Sequence, residues 1–241
     1  MLAKIGASSA HPGGIAATVR QLAAYPPPPG SRILEVGCGT GTTACYLAAQ
    51  GYDVVAADLH ARMIEKARIR AARNRVQVDF RVADVCDLPF ADGTFDLVLI
   101  ESVTNFCDAK AAMAECCRVL RAGGQLFDRE MMVDAAVPED GLRKLMHYFR
   151  MPQIMHREAW LALLRRCGFR SGEVLEYARL DPTEVFADDP ETTAAGRLDR
   201  EELIDEGVIL DVELWETLRR HDEVIEANIG YLYSGLIRAV K

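Results

Sequence analysis

The chain has 241 residues, half of them hydrophobic, which suits one α/β domain with a full core and some elaboration. Its 28 basic and 36 acidic side chains leave a net charge of −8, and without a local Lys/Arg run it lacks the basic footprint of a nucleic-acid binder, so DNA and RNA are discounted as substrates. No stretch approaches the roughly 18 consecutive apolar residues of a membrane span, and the first residues lack a signal-peptide core. Seven cysteines without paired spacing and without a C-x-x-C fit a reduced cytoplasm and give no zinc signature, so no metal is expected.

Residues 1–31 read as an N-terminal helix or flap. His11-Pro12-Gly13-Gly14 is a turn, Ile15 to Tyr25 has helical apolar spacing, and Pro26 to Pro29 is a stiff extended connector. This segment either packs beside a sheet or covers a ligand, with His11 or Arg20 reaching it. Next, Ile33, Leu34 and Val36 make a short buried strand, Gly37, Gly39 and Gly41 a turn, and Thr42 to Ala49 a helix. A strand–glycine turn–helix presents free backbone N–H groups at a helix N-terminus and lets a ligand approach the backbone closely. A dinucleotide fingerprint, G-x-G-x-x-G, fails here because Thr42 stands at its last position.

Gly51 is a C-cap, and Asp53 to Asp58 is a second strand. Asp58 lies about 20 residues past the turn, where a carboxylate accepts hydrogen bonds from ribose hydroxyls, although it also suits the N-cap of a helix from Ala61 to Arg73. Val76 to Val82 alternates as a third strand, Ala91 to Thr94 is a turn, and Phe95 to Ile100 is an apolar fourth strand ending at Glu101-Ser102. A helix over 108–121 precedes a fifth strand from Gln125 to Met131. The alternation predicts a parallel sheet with right-handed crossovers and ligands at the carboxyl ends of its strands. Two helices (138–150 and 157–167), a sixth strand from Gly172 to Leu180 and a seventh from Tyr231 to Val240 follow. The acidic stretch 181–229 reads as a helical insertion capping the substrate side, or else as a peripheral helix pair or dimer surface.

Glu35-x-Gly37-x-Gly39-x-Gly41, together with Asp84-Val85, Leu88-Pro89-Phe90, Asp92-Gly93-x-Phe95-Asp96 and Arg118-Val119-Leu120-Arg121-Ala122-Gly123-Gly124, resembles the class I S-adenosylmethionine (SAM) methyltransferases. The nearest likeness is to the group that includes quinone-ring C-methylating and arsenite-methylating enzymes. It covers residues 30 to 131, with Ala122 where the family usually has proline. The resemblance implies an α/β, Rossmann-like, doubly wound seven-stranded sheet, mostly parallel with an antiparallel last strand, plus the helical insertion. Residues 32–180 would form the SAM-binding core and 230–241 the final strand.

By the same resemblance, Glu35 and the backbone around Gly37, Cys38, Gly39 and Gly41 hold the methionine moiety, Asp58 the ribose, and Leu59, Met63, Asp84 and Val85 the adenosine side. Glu101 and Ser102 lie close to the sulfonium. SAM is the implied cofactor and S-adenosylhomocysteine (SAH) the product, with a small-molecule acceptor whose reacting atom (C, N, O or S) stays open. No nucleophile–base pair is conspicuous; the candidates for proton transfer are Glu101, His147, Tyr148 and His156. Alternatives are a SAM- or SAH-binding protein without transfer activity, an NAD-linked oxidoreductase, and an arsenite-type enzyme using thiolates. For the last, Cys38, Cys45, Cys86, Cys107 and Cys167 form no recognisable set, and buried apolar cysteine is the better reading. A homodimer is left open.

Overall fold

Short apolar runs bounded by Gly and Asp form the centre of one seven-stranded sheet in the computed structural model, which describes residues 11–180, 216 and 223–241. The strands are β1 (Arg32–Val36), β2 (Asp53–Asp58), β3 (Asp79–Val82), β4 (Phe95–Glu101), β5 (Leu120–Val133), β6 (Ser171–Arg179) and β7 (Leu232–Val240), in the order β3-β2-β1-β4-β5-β7-β6. β1 runs parallel to β2 and β4, and β7 is antiparallel to both of its neighbours, so the last strand alone is reversed. This is the sheet the sequence implied.

The helices are α1 (Gly14–Ala24), α2 (Thr42–Ala49), α3 (Ala61–Asn74), α4 (Ala109–Val119), α5 (Glu139–Phe149) and α6 (Arg157–Arg166). Successive strand residues point to opposite faces, and both faces are covered, which is why the central strands are apolar without alternation. Leu34, Val36, Val98 and Ile100 pack with Met113 of α4 and Trp160 of α6. Ile33, Leu97 and Leu99 pack with Leu22 of α1, Leu47 of α2 and Ile64 of α3. Each such large side chain contributes about 1.5–3 kcal/mol by leaving water. The strand order reverses between β1 and β4, and an open α/β sheet has its ligand crevice at that switch point.

Two strands differ from expectation. β3 starts at Asp79, because Arg75 closes α3 in the left-handed region (φ 56) and the Val76 N–H still donates to Ala71 O at the helix end. β5 is twice the expected length, since β7 offers a continuous partner for Gln125 to Val133 and Leu120 already pairs with Phe95. At the carboxyl end of β5, Met131 and Val133 pack with Leu145 of α5 and with Ile225. Of the expected insertion 181–229, residues 223–228 are helical, and most of the rest lies outside the described residues.

Candidate active site

The glycine turn is strapped to the neighbouring strand before any ligand is considered. The N–H groups of Gly37 and Cys38 donate to Ala57 O at 2.7 and 3.0 Å. Asp58 Oδ2 accepts from the Gly39 N–H at 2.9 Å and Oδ1 from the His60 N–H at 2.8 Å. Asp58 therefore anchors the turn, and His60, not Asp58, occupies the N-cap of α3. The glycines serve different ends. A Cβ on Gly41 (φ +79) would sit 2.8 Å from Ala67 Cβ, so Gly41 lets α2 pack on α3 and does not line the cavity. A Cβ on Gly39 (φ +53) would meet nothing within 4 Å, because that position faces open space.

That space is a cavity of about 290 Å³ across the ends of β1, β2 and β4. Glu35, Gly37, Cys38 and Gly39 line it, with Glu101 and Ser102. Asp58, Leu59, Met63, Asp84 and Val85 line it as well. There Leu59 is 60% exposed, an apolar plate with no protein covering it, and Val85 is buried. Asp84 uses Oδ1 to accept from the Cys86 N–H at 2.9 Å.

Four carboxylates thus line one cavity, Glu35, Asp58, Asp84 and Glu101. Glu35 is buried, its Oε2 has no partner among the described residues, and burial first, then the charges of Glu101 and Asp58, push its carboxyl well above the usual range. Glu101 Oε1 accepts from Thr18 Oγ1 of α1 at 2.5 Å, and Oε2 from Thr43 Oγ1 of α2 at 3.1 Å. The buried His11 brings Nε2 to 3.5 Å from Glu101 Oε1, and its Nδ1 lies 3.3 Å from Pro12 O. Ser102 takes a left-handed conformation (φ 56) with its N–H donating to Arg129 O at 2.8 Å, which turns the chain from β4 into the cavity wall.

A buried acid pair on β5 holds that wall. Glu130 Oε1 accepts from the N–H groups of Val103 (2.8 Å) and Thr104 (2.6 Å), and Asp128 Oδ2 accepts from Thr104 Oγ1 at 2.8 Å. Asp128 Oδ1 and Glu130 Oε2 have no partner among the described residues, and burial raises both carboxyls, Asp128 to about 7. Val103, Phe106 and Cys107 from this wall line the cavity.

Of the groups expected to move a proton, only Glu101 reaches the cavity. His147 and Tyr148 lie on α5 beside a separate groove with Arg150 and Pro152. His156 is the N-cap of α6, its Nδ1 accepting from the Ala159 N–H at 3.4 Å and lying 3.0 Å from Glu158. Of the two flap candidates His11 lines the cavity, and Arg20 lies in another pocket. Among the five cysteines considered, Cys38 and Cys107 line the cavity and Cys45 is core; burial raises all three thiols. Sequence reasoning missed Thr43, one step into α2, and the apolar pair Val103 and Phe106 just beyond β4. Thr18, 83 residues from Glu101, left no local signal.

Comparison with known proteins gives one picture. A family of methyltransferase domains matches residues 34–128. An uncharacterised methyltransferase of Bacillus subtilis, YodH, is 29% identical over 232 residues, covering 96% of this chain and 94% of its own length. The O-methyltransferase rstn1 of Aspergillus nomiae is 34% identical over 159 residues, 64% of this chain and 69% of its own. In fold, the Haemonchus contortus phosphoethanolamine N-methyltransferase 2, solved with S-adenosyl-L-methionine, superposes with a TM-score of 0.73 at 20% identity, covering 98% of this chain and 54% of that one.

Proposed function

The chain belongs to the class I SAM-dependent methyltransferases, and from that membership we propose that its cavity binds SAM and that the methyl acceptor is a hydroxyl oxygen of a small molecule. The convergence of Glu35, Asp58 and Glu101 on one cavity, with Glu35 Oε2 left without a partner among the described residues, carries the reading. Such a site favours a ligand bearing an ammonium and a sulfonium centre. Glu35 takes the ammonium, and the remaining lone pairs of Asp58 take the ribose hydroxyls. Leu59 and Val85 flank the adenine, and Asp84 accepts from its amine.

SAM supplies a methyl group already activated on a positively charged sulfur. The protein's own work is to bind, exclude water, align the acceptor and hold one proton. His11 is the group for that proton. In the tautomer that donates Nδ1–H to Pro12 O, Nε2 is the basic nitrogen, and Glu101 at 3.5 Å stabilises the imidazolium that forms. The O-methyltransferase relative supports a hydroxyl acceptor, and a cytoplasmic setting keeps the seven free cysteines reduced.

The test is methyl transfer from labelled SAM to a panel of phenols, alcohols and amines, beside calorimetric titration with SAH and NAD. SAH binding and label on hydroxyl compounds are expected. Binding of NAD without SAH would overturn the cofactor assignment, and label confined to amines would overturn the acceptor.

A further inference from the structure

The turn that brings His11 into the cavity also brings Pro12 and Gly13 to a second pocket of about 110 Å³, lined by Arg20, Arg129, Arg179 and Glu176. Its charge is unusual for a chain of net −8. Arg129 is buried, with a side chain 3% exposed; Nη1 pairs with Glu176 at 2.8 Å and Nη2 donates to Gln21 at 3.2 Å. Its Nε has no partner among the described residues. Arg179 donates from Nη1 to Gly230 O at 2.6 Å and stands 5.7 Å from the Tyr233 ring centroid.

Arg20 adds the decisive feature. A Cβ built on Gly13 would lie 3.9 Å from Arg20 Nη2, so the guanidinium folds back beside the first turn of its own helix. That helix has 11 residues, begins at a left-handed Gly13 without a side-chain cap, and carries no acid in its first turn. A helix N-terminus bears about half a positive charge, so a cation beside it is unfavourable unless an anion stands between. Among the lining residues, three guanidiniums and a helix end without a side-chain cap are set against one carboxylate, Glu176.

We infer that this pocket binds a small oxyanion, a phosphate or a carboxylate group. Its volume equals roughly three or four waters at about 30 Å³ each, enough for one such group. Arg129 is the register partner of Glu101 on the next strand, so the anion lies one strand from the reacting end of the methyl-transfer cavity. The inference does not depend on the nature of the methyl acceptor.

The experiment is titration of the full chain with inorganic phosphate at constant ionic strength, read by calorimetry and by thermal shift, with chloride as control. Wild type binds phosphate saturably. Arg20→Ala and Arg179→Ala, both solvent-side changes, each bind it about ten- to a hundredfold more weakly, the loss of one charged hydrogen bond, while SAH affinity stays at the wild-type value in both. Phenyl phosphate distinguishes the sources: tighter binding than inorganic phosphate identifies a group carried on an organic molecule, and exclusion identifies the free ion. No saturable binding beyond the chloride control, or wild-type phosphate affinity in both variants, overturns the assignment. SAH titration in the same samples keeps that failure separate from any failure of the methyltransferase reading.

Discussion

Glu35→Gln removes a charge while keeping the shape of the side chain. In the free protein, burial and the neighbouring Glu101 and Asp58 hold the Glu35 carboxyl protonated well above the ordinary range. A ligand ammonium needs the ionised form, so binding must expel the proton. SAH affinity then rises with pH wherever free Glu35 is still protonated, by at most tenfold, about 1.4 kcal/mol, per pH unit. In Glu35→Gln the slope disappears, and affinity at alkaline pH falls by about 1.5–3 kcal/mol, the worth of a charge-assisted hydrogen bond. Calorimetry of SAH binding in two buffers of different ionisation enthalpy counts the protons released. Wild type should release up to one proton and the variant none. An enthalpy independent of buffer and a flat affinity from about pH 6 to about pH 9 in wild type would refute the reasoning.

Four further outcomes follow from the geometry. Gly39→Ala should abolish most SAH binding and lower the melting temperature only by the strain of a side chain at φ +53, since its Cβ meets open space, whereas Gly41→Ala should lower it further through the added contact with Ala67. The Asp128–Glu130 pair binds a proton in the folded state that the unfolded chain releases, so stability from this source is full below about pH 4. It falls as pH rises towards about 7, by at most about 1.4 kcal/mol per unit for each group, and urea unfolding of Asp128→Asn should show a shallower slope, because burial still raises Glu130. His11→Gln should cut kcat by about a hundredfold or more and flatten its pH profile, leaving SAH affinity near wild type; unchanged turnover would remove His11 from the proton path. His156→Ala should cost about 0.5–1 kcal/mol as a lost helix cap, measured by urea unfolding, with methyl transfer unaffected.

The parallel core was legible because its cause is local. Ile33, Leu34 and Val36, Val54 to Ala57, and Leu97 to Ile100 put apolar side chains on both faces, and only a strand covered on both sides tolerates that. The ends of these strands then named Glu35, Asp58 and Glu101 as neighbours. What stayed hidden depends on separation along the chain. Nothing near Thr18 announces Glu101, and nothing near Gln21 announces Arg129. The division of labour among the glycines was equally invisible, since Gly39 and Gly41 read alike until Ala67 stands against one of them. His156 misled for a related reason: a histidine before a helix resembles a free base until its ring is found on the Ala159 N–H.

The placement of α1 has a consequence for the order of assembly. It leaves the ribosome before all seven described strands, yet its polar anchors, Glu101 and Arg129, lie 83 and 108 residues further on, and Tyr25 beside it rests on Phe127. An 11-residue helix alone in water is marginal, so it gains its full support only when β4 and β5 have paired. A helix made ahead of the sheet is therefore among the last elements to be fixed. Until it docks, His11 is absent from the cavity, so a nascent or partly folded chain holds the glycine turn without the group proposed to receive the proton.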